Sequence, residues 1–442
     1  MREPTRSIID GVASAFTELP FDDTEVSAVD GPVGWQGYDA ARQRAVENTG
    51  ERESVVCGAG KIGDTEAVFI AFEFGFLGGS IGERTGYRIE QAFTRARELR
   101  VPVVSLIATG GSRMQEGMRA LEQLQHIALQ SALTRTAGLP QIAVLRDPAT
   151  GGGWATLGAG ADVTLALPGA QVGFAGSRVR PPGDPHAYTA ESQWATGQVD
   201  RLVDRAELRP ALERWLRLLT NPVKGPAAAP GSLGVTSLPA TGWAAVQQAR
   251  AARRPRAQSY LDSYFDWRED IRGDRCGGVD PGVLCGFGHR GGRTVAYAAQ
   301  CGTATRPAGF RTAARLVRLA DRLGIAVLTL VDTPGAANDA DAERAGAGPA
   351  IAELFAAIAS ARVPVTTLVI GEGGSGGALA FAAPGRTWVT PDSYFSVTSP
   401  EAAASILKRT AAEVPAIADQ LRLRPQDLVE LGIARGIVDP AN

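Results

Sequence analysis

The chain has 442 residues, of which 44% are hydrophobic and 21% charged, and its net charge is −2. That is the make-up of a globular protein with apolar material for two cores. The near-neutral balance excludes a global attraction to nucleic acid or to an anionic membrane.

In chain order, the first feature is GFLGGSIGE (Gly75 to Glu83). It has the glycines of a phosphate loop but lacks the GK[ST] ending. VPVVSLIATGG (Val101 to Gly111) reads as a short buried strand that ends in a glycine turn, and a helix is expected from about Met114 to Leu133. The stretch from Leu139 to Phe174 then reads as strand, Gly-rich turn, short helix, strand, turn and strand. Asn221 to Gly242 is rich in Pro, Gly, Ala and Ser and reads as a linker. A helix is expected to start at the following Trp243, and its basic run ARRPR is either a solvated face or a contact for a phosphate.

The order of elements then recurs. GIAVLTLVDTPGA (Gly324 to Ala336) is again strand and glycine turn, a helix is expected near Ala350 to Ala361, and Val363 to Val397 repeats the longer pattern. Gly110 aligns with Gly335, Gly151 with Gly376 and Pro168 with Pro391, an offset near 225 residues. A period that long indicates a duplicated domain rather than a solenoid. Apolar runs without strict alternation, each followed by a helix, indicate strands buried on both faces. The expected boundaries are 1–222 for the first domain, 223–255 for the linker and 256–442 for the second domain.

Each half places adjacent glycines between a strand and a helix, in TGGGWA (Thr150 to Ala155) and SGGALA (Ser375 to Ala380). A helix start carries unpaired N–H groups and the positive end of the dipole. Two such groups aimed at one oxygen make an oxyanion hole, suited to a thioester enolate. A single glycine pair marks only a tight turn, whereas equivalent pairs at equivalent junctions in both halves mark a site. Other catalytic constellations are weak. His126, His186 and His289 stand in unrelated contexts, and no GxSxG, HExxH or Rossmann pattern emerges convincingly. The cysteines Cys57, Cys276, Cys285 and Cys301 form no CxxC pair, which argues against a zinc site or disulfides. A site of backbone donors without a nucleophile or metal suits chemistry in which substrate or cofactor supplies the base. The opening MREPTRSIIDG lacks an apolar signal region and no run is long enough to span a bilayer, so a cytoplasmic protein is expected.

On these residues the first half resembles the beta subunit of bacterial acetyl-CoA carboxylase carboxyltransferase. The matching segments are FEFGFLGGSIGERTG (Phe72 to Gly86), TGGSRMQEG (Thr109 to Gly117), DPATGGGWA (Asp147 to Ala155) and VGFAGSRV (Val172 to Val179). The second half resembles the alpha subunit in GDR (Gly273 to Arg275), LVDTPGA (Leu330 to Ala336), VIGEGGSGGALA (Val369 to Ala380) and YFSVTSPEAAASIL (Tyr394 to Leu407). The resemblance covers about 37–205 and 256–440.

It implies an α/β fold of two crotonase-like (ClpP/crotonase) domains built from repeated ββα units. It also implies transfer of a carboxyl group from carboxybiotin to the α-carbon of an acyl-CoA, giving malonyl-CoA or a homologue. Gly151 and Gly152 would hold the oxygen generated on biotin, and Gly377 and Ala378 the thioester enolate oxygen. Gly78, Gly79, Gly110, Gly111, Gly335 and Gly376 would belong to the substrate-binding turns. Arg113 is a candidate for a CoA phosphate or for a structural salt bridge, and Glu116 and Glu372 are expected to be structural. The implied cofactor is biotin carried in trans on a biotin carboxyl carrier protein and charged by a biotin carboxylase, with no metal. The implied assembly is a homodimer or higher homo-oligomer, with the active site where the two domain types meet.

Three departures from the family pattern stand out. Residues 1–56 contain no cysteine and so lack the beta subunit's zinc ribbon. CGTATRPAGF (Cys301 to Phe310) is short where the alpha subunit has a basic insertion, and AANDADAERAGAG replaces a bulkier tyrosine-containing loop. None of Lys61, Lys224 and Lys408 has the context of a biotin attachment site. The departures motivate a second reading, a biotin-independent decarboxylase of malonyl-CoA or malonyl-acyl carrier protein.

Overall fold

The computed structural model describes residues 3–21 and 28–441. The chain divides into two compact units, Met1–Thr220 and Asn221–Asn442. Each is built on one mixed sheet.

In the first unit the strands are β1 (Ala15–Glu18), β2 (Val55–Ile62), β3 (Thr65–Phe72), β4 (Val103–Thr109), β5 (Gln141–Thr150), β6 (Val163–Ala166), β7 (Val172–Gly173) and β8 (Arg201–Leu202). Their spatial order is β1-β2-β3-β4-β5-β6-β8, with β7 beside the end of β5. The β1–β2–β3 part is antiparallel, and from β3 onward the pairs are parallel. Helix Glu83–Leu99 connects β3 to β4, and helix Met118–Thr136 connects β4 to β5. Parallel neighbours need such crossovers, and the helices cover the sheet. That is why VVSLIAT in β4 is buried along its whole length. Val68, Ile70, Ile89, Phe93, Val103 and Leu145 belong to this unit's core. Helix Leu208–Thr220 closes the unit, with Leu212, Trp215, Leu216 and Leu219 buried on one face.

The second unit repeats the plan. Its strands are β9 (Trp267–Ile271), β10 (Val283–Arg290), β11 (Arg293–Gln300), β12 (Val327–Thr333), β13 (Val365–Gly374), β14 (Thr387–Val389), β15 (Tyr394–Ser396) and β16 (Gly436–Ile437). They lie in the order β16-β14-β13-β12-β11-β10-β9, with β15 beside the end of β13. Helices Pro307–Leu323 and Ala347–Ser360 make the crossovers. Each unit therefore repeats the strand–strand–helix pattern of the crotonase-like fold. The segment read as a linker belongs to the second unit: Ala227 is in its core, and helix Gly242–Arg250 buries Ala245, Val246 and Ala249.

The internal repeat is real, but its backbone register differs from the glycine alignment by one residue. Gly111 N–H donates to Thr109 Oγ1 at 3.0 Å, and Gly335 N–H donates to Thr333 Oγ1 at 3.1 Å. Ile81 bridges Ser112 as Thr305 bridges Ala336. These equivalences fix an offset of 224 residues, so Gly111, not Gly110, corresponds to Gly335. Gly151 corresponds to Ser375, and both adopt a left-handed backbone, at φ +62° and +56°. Aligning glycine with glycine misses this, because a serine stands at the strained position in the second unit.

Candidate active site

Each site is assembled from two strand ends. In the first unit β5 ends at Thr150 and the chain turns into a short helix, Gly151–Gly153. The turn after β4 packs on it so closely that a Cβ on Gly151 would lie 2.9 Å from Gly111 Cα. In the second unit β13 ends at Gly374 and helix Ser375–Leu379 begins. Here a Cβ on Gly377 would lie 2.3 Å from the Ala336 nitrogen. The glycines permit backbone to meet backbone, and that contact gathers N–H groups from a loop and a helix start.

Among the described residues, no protein acceptor is bonded to the N–H groups of Gly152 and Gly153 in the first unit or of Gly376, Gly377 and Ala378 in the second. The N–H groups of Ser112 and Ala336, which precede Arg113 and Ala337 in the two turns, are likewise without a protein acceptor. Gly151 differs from the expectation. Its N–H donates to the Phe174 carbonyl at 3.0 Å, because the β5–β7 pairing continues one residue past the strand. The expected Gly151–Gly152 pair is thus one open donor, Gly152, beside one already engaged.

The remaining expected residues divide the same way. Gly110 N–H donates to the Gly78 carbonyl at 2.9 Å and Gly79 N–H to the Phe76 carbonyl at 3.0 Å, so the Gly78–Gly79 loop supports the turn from behind. Gly376 stands apart: a Cβ there would meet nothing within 4 Å, so its backbone borders open space. Ser112 and Ala336 are the two site positions that sequence reasoning missed. The signal was present as Thr-x-Gly-(Ser/Ala) after both strands, in TGGS and TPGA.

Arg113 does not face a ligand. Its side chain is 1% exposed and forms ion pairs with Glu53, also 1% exposed, and with Glu116 at 3.1 Å. It also donates to the Ser80 carbonyl at 2.8 Å. The salt-bridge alternative is therefore the one realised, and the CoA-phosphate contact is corrected: a guanidinium enclosed by two carboxylates has no face left for a phosphate. Burial alone would raise the Glu53 pKa, but the adjacent Arg113 charge and its hydrogen bonds outweigh it and hold Glu53 at about 2. Glu116 also accepts from Tyr38 Oη and from the Glu83 N–H. It braces the turn, as expected of a structural carboxylate.

In the second unit Glu372 Oε2 accepts from Arg250 Nε at 2.7 Å and from Tyr394 Oη at 2.8 Å. Burial and the neighbouring Glu372 charge push the Tyr394 phenol upward, so it stays a donor. The run ARRPR is likewise not a solvated face throughout: Arg254 is buried against Asp332, Pro255 and Arg256 are half-buried, and Ala252 and Arg253 are exposed. Among the described residues no group of three His, Cys, Asp or Glu is arranged to hold a metal ion, and no helix is long and apolar enough to cross a membrane. Met114, Met118 and Phe174 in the first unit, and Leu379 and Val397 in the second, are exposed apolar side chains in or following these turns and the short strands beside them.

Each unit thus offers backbone donors at a matched junction, and the motif carboxylates Glu116 and Glu372 are already paired. Comparison with known proteins agrees in both halves. The carboxyl transferase domain model matches residues 30–198, and the acetyl co-enzyme A carboxylase carboxyltransferase-like model matches residues 237–441. The acetyl-coenzyme A carboxylase carboxyl transferase subunits beta/alpha of Saccharopolyspora erythraea is 39% identical over 91% of this chain and 74% of its own length. The corresponding protein of Salinispora arenicola is 38% identical over 97% of this chain and 80% of its own. A probable biotin-dependent acyl-coenzyme A carboxylase beta3 subunit of Mycobacterium bovis is 33% identical over 88% and 80%. Among solved structures, the transcarboxylase 12S core matches all of this chain and 87% of its own with a TM-score of 0.81 at 20% identity, which speaks to the fold. With both halves matched and these relatives spanned over most of their length, the chain belongs to the carboxyltransferase family of biotin-dependent acyl-CoA carboxylases, its beta-type and alpha-type halves joined in one polypeptide.

Proposed function

We propose that this chain moves a carboxyl group from carboxybiotin, presented on a separate biotin carboxyl carrier protein charged by a biotin carboxylase, to the α-carbon of an acyl-CoA. The observation that carries the reading is the presence of open backbone donors at the equivalent junction of both units. Carboxyl transfer develops negative charge on two different carbonyl oxygens, one on the ureido ring and one on the thioester. A decarboxylase develops it on the thioester alone.

Carboxybiotin, when bound, would supply CO2 through its N–C bond and, once freed of it, a ureido nitrogen able to take the α-proton. The donor set fits that chemistry, since Glu372 is held by Arg250 and Tyr394 and Glu116 by Arg113. In this reading the Gly152 N–H stabilises the ureido oxygen, while Gly151 shapes its turn. The N–H groups of Gly377 and Ala378 stabilise the thioester oxygen as the α-proton is removed and the electron pair of the broken C–H bond, left on the substrate, attacks CO2. Preorganised donors of this type are worth about 10²–10³ in kcat each. Gly376 and Gly335 border the acyl side and Gly110 and Gly111 the biotin side. The exposed apolar residues in or near both turns suit a homo-oligomer that covers them and excludes water.

The test is exchange of a radiolabelled carboxyl group between malonyl-CoA and a biotinylated carrier protein, catalysed by the purified chain. Transfer that avidin abolishes is expected. Loss of CO2 from a malonyl thioester, unaffected by avidin and without label on biotin, would replace this reading with the decarboxylase.

A further inference from the structure

The pairing of β12 with β13 is interrupted just before the thioester turn. Val331 pairs with Val369 and Thr333 with Gly373, so Asp332 alone stands opposite Ile370, Gly371 and Glu372. A bulge of that size frees backbone groups in a buried place, and they need partners. Asp332, 0% exposed, and Arg254, 2% exposed, supply them.

Asp332 Oδ1 accepts the Glu372 N–H at 3.1 Å. Arg254 Nη1 donates to the Ile370 carbonyl at 2.5 Å, its Nε donates to the Ala249 carbonyl at 2.8 Å, and its Nη2 reaches both Asp332 oxygens at 2.9 and 2.8 Å. Arg256 Nη1 adds a contact to Asp332 Oδ2 at 3.0 Å. The sheet is notched to admit the pair: a Cβ on Gly371 would lie 2.3 Å from both Arg254 Nη2 and Asp332 Oδ1. The two strand ends joined here lead directly into Gly335–Ala336 and into helix Ser375–Leu379.

We infer that Arg254 and Asp332 are positioning residues for the thioester oxyanion site, fixing the spacing between the Ala336 N–H and the N–H groups of Gly377 and Ala378. Arg254 lies outside the repeated strand–helix units, so the second unit's turn is set by a residue from the segment that precedes its sheet. The kinetic consequence rests on the function proposed above, whereas the brace itself does not.

Arg254→Lys keeps the charge but cannot span Asp332, Ile370 and Ala249 together, because a single ammonium lacks the planar fork. Asp332→Asn keeps the shape and removes the charge. Arg253→Ala, at the exposed neighbour, controls for loss of a nearby positive charge. Hydrogen exchange of the full chain, read by mass spectrometry, should show faster exchange in peptides covering 327–339 and 365–380 for the first two variants. Peptides 103–113 and 141–155 should keep wild-type rates, as should every peptide of the control. Unchanged exchange in folded Arg254→Lys and Asp332→Asn overturns the brace, whether or not the wild type transfers carboxyl groups. In an active wild type, kcat should fall at least tenfold in Arg254→Lys with KM for acyl-CoA within threefold. A kcat that falls only in proportion to the unfolded fraction overturns the positioning role. A wild type without transfer activity refutes the preceding functional reading instead, and leaves the exchange result to decide the brace.

Discussion

Gly376 and Gly377 are neighbours in one helix and should respond oppositely to an added methyl group. At Gly376 the methyl meets open space, so Gly376→Ala should unfold at the wild-type midpoint or gain about 0.5–1 kcal/mol from helix propensity. At Gly377 it would press into the Ala336 nitrogen, so Gly377→Ala should lose about 1–3 kcal/mol and lower kcat more than tenfold. Urea titration of both variants, with carboxyl-exchange kinetics for the second, separates the two effects. The strained Ser375 offers the reverse experiment. At φ +56° it occupies the position of Gly151, and Ser375→Gly should raise stability by about 1 kcal/mol in the same titration. Glu53 contributes to the acid sensitivity of the first unit. Its folded pKa of about 2 lies below its ordinary 4.5, so its contribution is complete above pH 4.5 and is lost as pH falls toward 2. Unfolding midpoints measured across that window should fall in the wild type, and Glu53→Gln should remove the Glu53 part of the slope.

Among the elements, strands were the most legible. β4 and β12 are seven-residue strands, apolar apart from Ser105, Thr109, Thr329, Asp332 and Thr333, each followed by a glycine turn, and both are buried along their whole length. The sequence places the helix that starts at Trp243 within the 223–255 linker, as an introduction to the second domain, whereas helix Gly242–Arg250 packs into the second unit. Its buried face is Ala245, Val246 and Ala249, side chains too small to give a strong periodic signal beside a Pro- and Gly-rich stretch. The open N–H groups of the site were legible at the helix starts, where glycine doublets mark them. The loop donors Ser112 and Ala336 were marked only by the shared Thr-x-Gly-(Ser/Ala) pattern, because a backbone donor does not depend on the type of its own residue. Arg113 and Arg254 were ambiguous in sequence, since their partners Glu53 and Asp332 lie 60 and 78 residues away. Helix Leu208–Thr220 gives the corresponding stability test. Trp215 is fully buried there, and Trp215→Ala should cost about 3–5 kcal/mol in urea.

For the molecule as a whole, separate cores in the two units imply separable unfolding. Trp215→Ala, followed by hydrogen exchange against urea, should lower the midpoint of peptides from 3–220 and leave those from 221–441 at wild-type values. A common shift would show instead that the units melt as one. The duplication also kept the same turn while changing what secures it. The first unit uses Arg113, two residues past its own Gly111, whereas the second uses Arg254, supplied from ahead of β9.

That difference determines where the gene can be divided. A two-cistron version with its second open reading frame starting at codon 256 would keep the motifs from GDR to YFSVTSPEAAASIL and yet omit Arg250, which reaches Glu372, and Arg254, which reaches Asp332. A break between codons 220 and 221 retains both, along with the Asn221 amide that donates to the Gly292 carbonyl at 2.6 Å.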